Sequence, residues 1–193
     1  HENLERVSMP RISPLSEGEW TQEQSDLMTP MQNDEGVGTI ATNLFTTLVR
    51  YPKLFKRWSV FANHVLFKSS LTAEDRELAI LRIAWLTQAD YEWGQHVLIA
   101  RDAGMSDTTI ANVKNGTDSE GWNAAQSALL LAVDQLHSDC EIDGACWEAL
   151  LKHLSEKQIF DLIFTVGNYR LLASVMRSVK VERDAGVPGL EQP

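Results

Sequence analysis

The stretch from Glu77 to Leu86 reads ELAILRIAWL, and between Leu78 and Leu86 only Arg82 is polar. Thr72 precedes it as an N-cap residue, with Glu74, Asp75 and Glu77 in the first turns, where the helix dipole favours acids. This spacing predicts a helix over 73–88 that is apolar on nearly every side. Such a helix is stable only when other elements surround it, so it is expected at the centre of the fold. It is too short to cross a bilayer, and no apolar run in the chain approaches the ~20 residues a span needs. A chain of 193 residues is long enough to build a shell around it, as one domain or one domain plus an arm.

The shell is also legible. Ile40, Leu44 and Leu48 repeat at helical spacing from Gly38 onward, and Tyr51-Pro52 breaks that run, with Pro52 suited to a first helical position. Leu54, Phe55, Trp58, Phe61, Ala62 and Leu66 form the next stripe. Asp90 is placed as the cap of a helix over 91–103 that stops at Gly104, and Ser106 caps a short one running to Asn115-Gly116. A long helix is expected over 122–138, another from Asp143 through Leu151, and a last one opened by the capping box Ser155-x-x-Gln158 and running through Val175. No strand pattern stands out, and the class is all-α. Residues 1–36 carry Pro10, Pro14, Gly18 and Pro30 and are expected to be an arm with one short helix near 20–28. Its Trp20 and Met28 are placed to dock on the body. Residues 37–185 form the helical domain and 186–193 a tail.

Charge and cysteine usage narrow the function. Seventeen Lys and Arg against 27 Asp and Glu leave a net charge of −10. Nucleic acids and anionic membranes are bound mainly through cations, so neither is expected as a partner. Cys140 and Cys146 make neither a disulfide framework nor a C-x-x-C pair, which favours a reducing, cytoplasmic setting. The first fifteen residues, HENLERVSMPRISPL, hold no apolar signal core. Met9-Pro10 is the expected native start, with residues 1–8 upstream of it.

Glu92-Trp-Gly-Gln-His96 is the sharpest local feature. Glu92 and His96 are four apart and share a helix face, and a carboxylate beside an imidazole orients the ring and supports proton transfer. By spacing alone an ordinary surface pair fits better. The buried helix just before it shifts that balance, because it carries Glu77 and Arg82. These two lie about 140° apart around the helix, so each needs a partner elsewhere. A first-turn acid and a structural ion pair would explain them equally well. His64 is expected to be a satisfied core histidine, with pocket lining as the other choice. Tyr169, beside Gly167 and Asn168, is expected in the core near the site. Asp134 and His137 are assigned to a solvated face and His153 to the surface. No zinc-type or di-iron ligand pattern occurs.

Residues 76–106, RELAILRIAWLTQADYEWGQHVLIARDAGMS, resemble the carboxymuconolactone decarboxylase and alkylhydroperoxidase-D-like superfamily. The resemblance extends more loosely over 40–185 and leaves the arm outside. It implies an all-helical subunit of a dimer, trimer or hexamer, with sites near subunit contacts. The peroxidase branch has a Glu on the first helix, a C-x-x-C, and a His four residues later. Glu77 and His96 match its Glu and His, but Ala89 and Glu92 stand at the cysteine positions. Peroxide reduction there needs a thiolate, so dithiol peroxidase activity is not expected. The decarboxylase branch carries Glu-x-x-x-His, which Glu92 and His96 match. Trp93, Gly94 and the chain length depart from the pathway decarboxylase. The resemblance therefore implies a cofactor-independent, metal-free acid–base enzyme, a decarboxylase-like lyase or an isomerase, acting on a small lactone or keto acid. In it His96 moves the proton, Glu92 or Glu77 holds the ring, Arg82 holds a substrate carboxylate, and Trp93, His64 and Tyr169 line the pocket.

Two other classes compete. A non-catalytic homo-oligomeric scaffold would seal Glu77, Glu92 and His96 into a closed network without a cavity. A helix-turn-helix over 97–116 would bind DNA, but from Ser106 to Gly116 its only basic side chain is Lys114.

Overall fold

The computed structural model describes residues 9–28 and 42–193. The expectations for residues 1–8, Pro30, Gly38 and Ile40 lie outside these. Among the described residues every regular element is helical: α1 Gln22–Met28, α2 Asn43–Leu48, α3 Pro52–Phe67, α4 Ala73–Leu86, α5 Asp90–Asp102, α6 Asp107–Val113, α7 Ala124–Ser138, α8 Gly144–Leu151 and α9 Glu156–Val179.

Helix α4 is the axis. Thr72 accepts from the Asp75 amide as its N-cap, and every residue from Glu77 to Ala84 is buried. Helices α5, α7 and α9 pack around it, and α6 closes the remaining side. Each fully buried aliphatic side chain of this run, such as Ile80 or Leu81, contributes about 1.5–3 kcal/mol, so the central placement follows from burial alone. The caps at Ser106, Asp143 and Ser155 form as the sequence indicates, and α7 adds a capping box from Asn123 and Gln126. Asp90 is a correction. The N-cap of α5 is Ala89, and Asp90 lies inside the helix, where its carboxylate accepts the Leu190 amide. Helix α9 is long and apolar enough in composition to cross a membrane, but it is half-buried among α3, α4 and α7 as a core helix.

The described part of the arm docks on its own chain. Met28, Val49 and Phe55 form a second small core with Leu15, Trp20 and Trp58 packed against it. The C-terminal residues are not a loose tail. Trp93 donates its indole N–H to the Gln192 carbonyl at 3.1 Å, and Lys114 reaches the Leu190 carbonyl at 3.0 Å. The Lys114 ammonium sits over both the Trp85 and Trp93 rings, 5.2 and 5.1 Å from their centroids. The strap crosses α5 at Gly94, where a Cβ would collide with the Pro188 carbonyl oxygen.

Candidate active site

Helices α4 and α5 are joined only by Thr87–Ala89, with Gln88 in the left-handed region at φ 54°. This tight reversal brings His96 back alongside Glu77. The His96 Nδ1 and Glu77 Oε2 lie 2.6 Å apart, and Arg76 donates to the other oxygen, Oε1, at 3.0 Å. Glu77 is wholly buried and His96 nearly so. A buried carboxylate flanked by a guanidinium and an imidazole is a charge that has been compensated, and it fixes the ring with Nδ1 occupied.

The same ring forms part of the wall of a cavity of about 800 Å3 that His96, Glu92, Tyr169 and Asn168 line at its buried end. With Nδ1 taken by Glu77, Nε2 is the nitrogen left to a ligand. The Tyr169 ring meets the imidazole edge-on at 4.8 Å between centroids. Burial, and then the Glu77 and Glu92 carboxyls, push the Tyr169 hydroxyl well above its ordinary value, so it stays a donor. Asn168 accepts from the Trp58 indole at 3.1 Å. The body of the cavity is apolar, built from Leu44, Phe45, Trp58, Ile99, Leu172 and Met176.

Glu92 corrects the sequence reading of how the ring is held. It is one turn from His96 on α5, yet neither of its carboxyl oxygens has a hydrogen-bond partner. Glu77 from the neighbouring helix takes the ring instead. Complete burial without a compensating charge raises the Glu92 carboxyl well above the usual range, which favours its neutral form at the cavity wall.

The other sequence candidates divide. Tyr169 lines the cavity, as does His64. His64 is no core residue, however: its side chain is 53% exposed at the mouth, 3.5 Å from Asp161. Arg82 does not reach the cavity. Its guanidinium is consumed by Asp134 at 2.6 and 3.0 Å and by the Val113 and Lys114 carbonyls at 3.0 and 2.7 Å. Asp134 is thus half of a structural pair rather than part of a solvated face. Trp93 is fully buried under the C-terminal strap and lines no part of the cavity. Cys146 is buried on α8 with its thiol pushed up to about 11 by burial, Cys140 is exposed, and neither lines the cavity.

Sequence reasoning missed a polar cluster at the cavity wall. Tyr91 and Gln95 both donate to Asp184 Oδ2 at 2.7 Å, and the Asn43 amide donates to Oδ1 at 2.9 Å. It ties α2 and α5 to the segment after α9. Asp184 lies outside every helical pattern, so periodicity carries no signal for it.

Residues 52–134 match the model of the carboxymuconolactone decarboxylase family. No curated protein matches the sequence. A peroxidase-related protein from Ralstonia eutropha JMP134 with an alkylhydroperoxidase AhpD core superposes with a TM-score of 0.77 at 17% identity, over 90% of this chain and 93% of that one. A peroxidase-related protein from Silicibacter sp. TM1040 gives 0.75 at 15% identity, over 94% and 92%. The debrominase Bmp8, as a cysteine-to-alanine variant in complex with 2,3,4-tribromopyrrole, gives 0.74 at 14% identity, over 90% and 91%. At these identities the likeness is one of fold.

Proposed function

From a chain that over residues 52–134 belongs to the carboxymuconolactone decarboxylase family, we infer a cofactor-independent acid–base enzyme acting on a small carbonyl compound of the lactone or keto-acid class. The observation that carries this reading is the His96 ring, bonded to Glu77 at Nδ1 and lining the same cavity as the unpartnered Glu92. A ring held at one nitrogen and open at the other is what a proton carrier needs.

In this reading Nε2 of His96 removes a proton from the carbon beside the carbonyl. The C–H electron pair becomes the new C=C bond, and the carbonyl π pair moves onto oxygen, which takes the Glu92 proton. In a ligand with a second C=C conjugated to the enol, return of the His96 proton to the far carbon of that bond and of the enol proton to Glu92 completes an isomerisation with no net change in the protein. With a keto acid or lactone acid, loss of CO₂ supplies the electron pair, and His96 protonates the carbon. Glu77 stabilises the imidazolium that forms in the first case. The scaffold alternative expects a sealed network, and the cavity at His96 counts against it.

The same reading makes the working unit a homo-oligomer. Phe160, Phe164 and Leu171 follow one face of α9 and are 59, 52 and 54% exposed. Phe61 of α3 meets Phe164 edge-on at 6.0 Å, while the exposed Val60 and Phe67 of α3 lie at the cavity. An apolar stripe of this kind marks an association surface.

The test is a screen of small lactones and keto acids with the full chain, followed by His96→Ala on any substrate found. The variant should lose about 10²–10⁴ in kcat. Unchanged turnover would remove His96 from the chemistry.

A further inference from the structure

The charges around the cavity are unevenly distributed. Its buried end carries Glu92, His96, the Tyr169 phenol and the Asn168 amide, with Glu77 directly behind the imidazole. Lys56 and Lys68 line it too, but both are exposed at the mouth. The guanidiniums of α4 and those flanking the site in sequence are spent: Arg76 on Glu77, Arg82 on Asp134 and two carbonyls, Arg101 on Asp107, and Arg170 on the Leu136 carbonyl. A carboxylate brought to the buried end would meet no lysine or arginine there and would lie against the Glu92 carboxyl, with the Glu77 carboxylate behind the ring. Burying an unpaired charge costs far more than burying a hydrogen-bonded neutral group.

We propose that the cavity is built for a neutral, largely apolar carbonyl compound, a lactone, ketone or enone, whose carbonyl oxygen seats between the Glu92 carboxyl and the His96 imidazole, and not for a carboxylate at that end. Both Glu92 oxygens are buried without a partner, and a carbonyl oxygen supplies the partner that a protonated carboxyl lacks. The apolar body of the ligand would fill the part lined by Trp58, Leu172 and Met176. This deepens the acid–base reading and rests on it for the chemistry. It favours moving a proton between two carbons of the ligand over releasing CO₂, since the latter requires a carboxylate beside the reacting pair.

The test compares two probes of nearly equal size, 2-acetylnaphthalene and 2-naphthoate, by calorimetric titration of the full chain at neutral pH. The ketone should bind about tenfold or more tightly than the carboxylate. Glu92→Leu, checked for folding by its thermal transition, should weaken the ketone severalfold and leave the naphthoate no weaker. Equal or tighter binding of naphthoate, or binding of neither probe, overturns the proposal. The binding result does not depend on turnover. If naphthoate wins while His96→Ala still abolishes activity, the ligand class falls and the acid–base reading stands. If the ketone wins and His96→Ala is fully active, the reverse holds.

Discussion

Glu92 and Glu77 are both buried carboxyls, yet their surroundings give them opposite characters. Glu77 is bonded by the Arg76 guanidinium and the His96 ring, whereas Glu92 has no partner and burial raises its carboxyl well above the usual range. In the unfolded chain Glu92 ionises around its ordinary 4.5, so above that pH the unfolded state releases a proton that the folded state keeps. Its contribution to stability therefore falls as pH rises from 4.5 upward. Glu92→Gln removes the effect, so its melting temperature should gain on the wild type progressively between about pH 5 and pH 8. A pH-independent difference would contradict a neutral Glu92. Glu77→Gln should leave the fold intact but free the ring, lowering kcat about tenfold to a hundredfold while KM changes little. At this scale the sequence was informative about identity and silent about partnership. The i,i+4 spacing correctly put Glu92 and His96 on one helix, but spacing within a helix cannot reveal that a carboxylate on the neighbouring helix wins the ring.

The elements that carry these residues are fixed by contacts of differing legibility. The central position of α4 was legible because a helix with no polar face has nowhere else to go. The role of Arg82 was not, since a lone arginine in an apolar run fits a substrate anchor and a structural pair equally well. Its four hydrogen bonds settle it as the link between α4, α7 and the end of α6. Arg82→Met should cost about 2–4 kcal/mol in denaturant unfolding, less than for a fully sealed pair because Asp134 is partly exposed. It should leave KM near the wild-type value; a large rise in KM with stability unchanged would restore the substrate-anchor role. The C-terminal strap was the least legible element, because it attaches largely through backbone carbonyls, which any sequence possesses. Gly94 marks where it crosses α5. Gly94→Ala would gain up to ~1 kcal/mol of helix propensity, but the clash with Pro188 should outweigh it, giving a net loss of about 1–3 kcal/mol. Faster proteolytic removal of the last residues would report the same displacement.

At the scale of the molecule, α3, α5 and α9, with α2 at one side, line a cavity that is apolar along its body and acid–base at its buried end. The all-α class followed from the sequence because each stripe had the helical period and each cap its own residue. The cavity did not, because it is made of what is missing between α3, α5 and α9, and no single segment encodes a gap. The exposed stripe on α9 belongs to this scale as well. If this stripe is the proposed subunit contact, Phe164→Glu should lower the mass seen in light scattering, and an unchanged mass would remove the stripe from any contact. The central claim, that His96 moves protons on a carbonyl ligand, is tested most directly by deuterium uptake from D₂O. The carbon beside the carbonyl of neutral lactones and ketones is followed by NMR with the wild type and His96→Ala. Uptake above the buffer rate is expected with the wild type, and a loss of about 10²–10⁴ in the variant. Uptake no faster than in buffer across the panel, or equal rates for the two proteins, would contradict it.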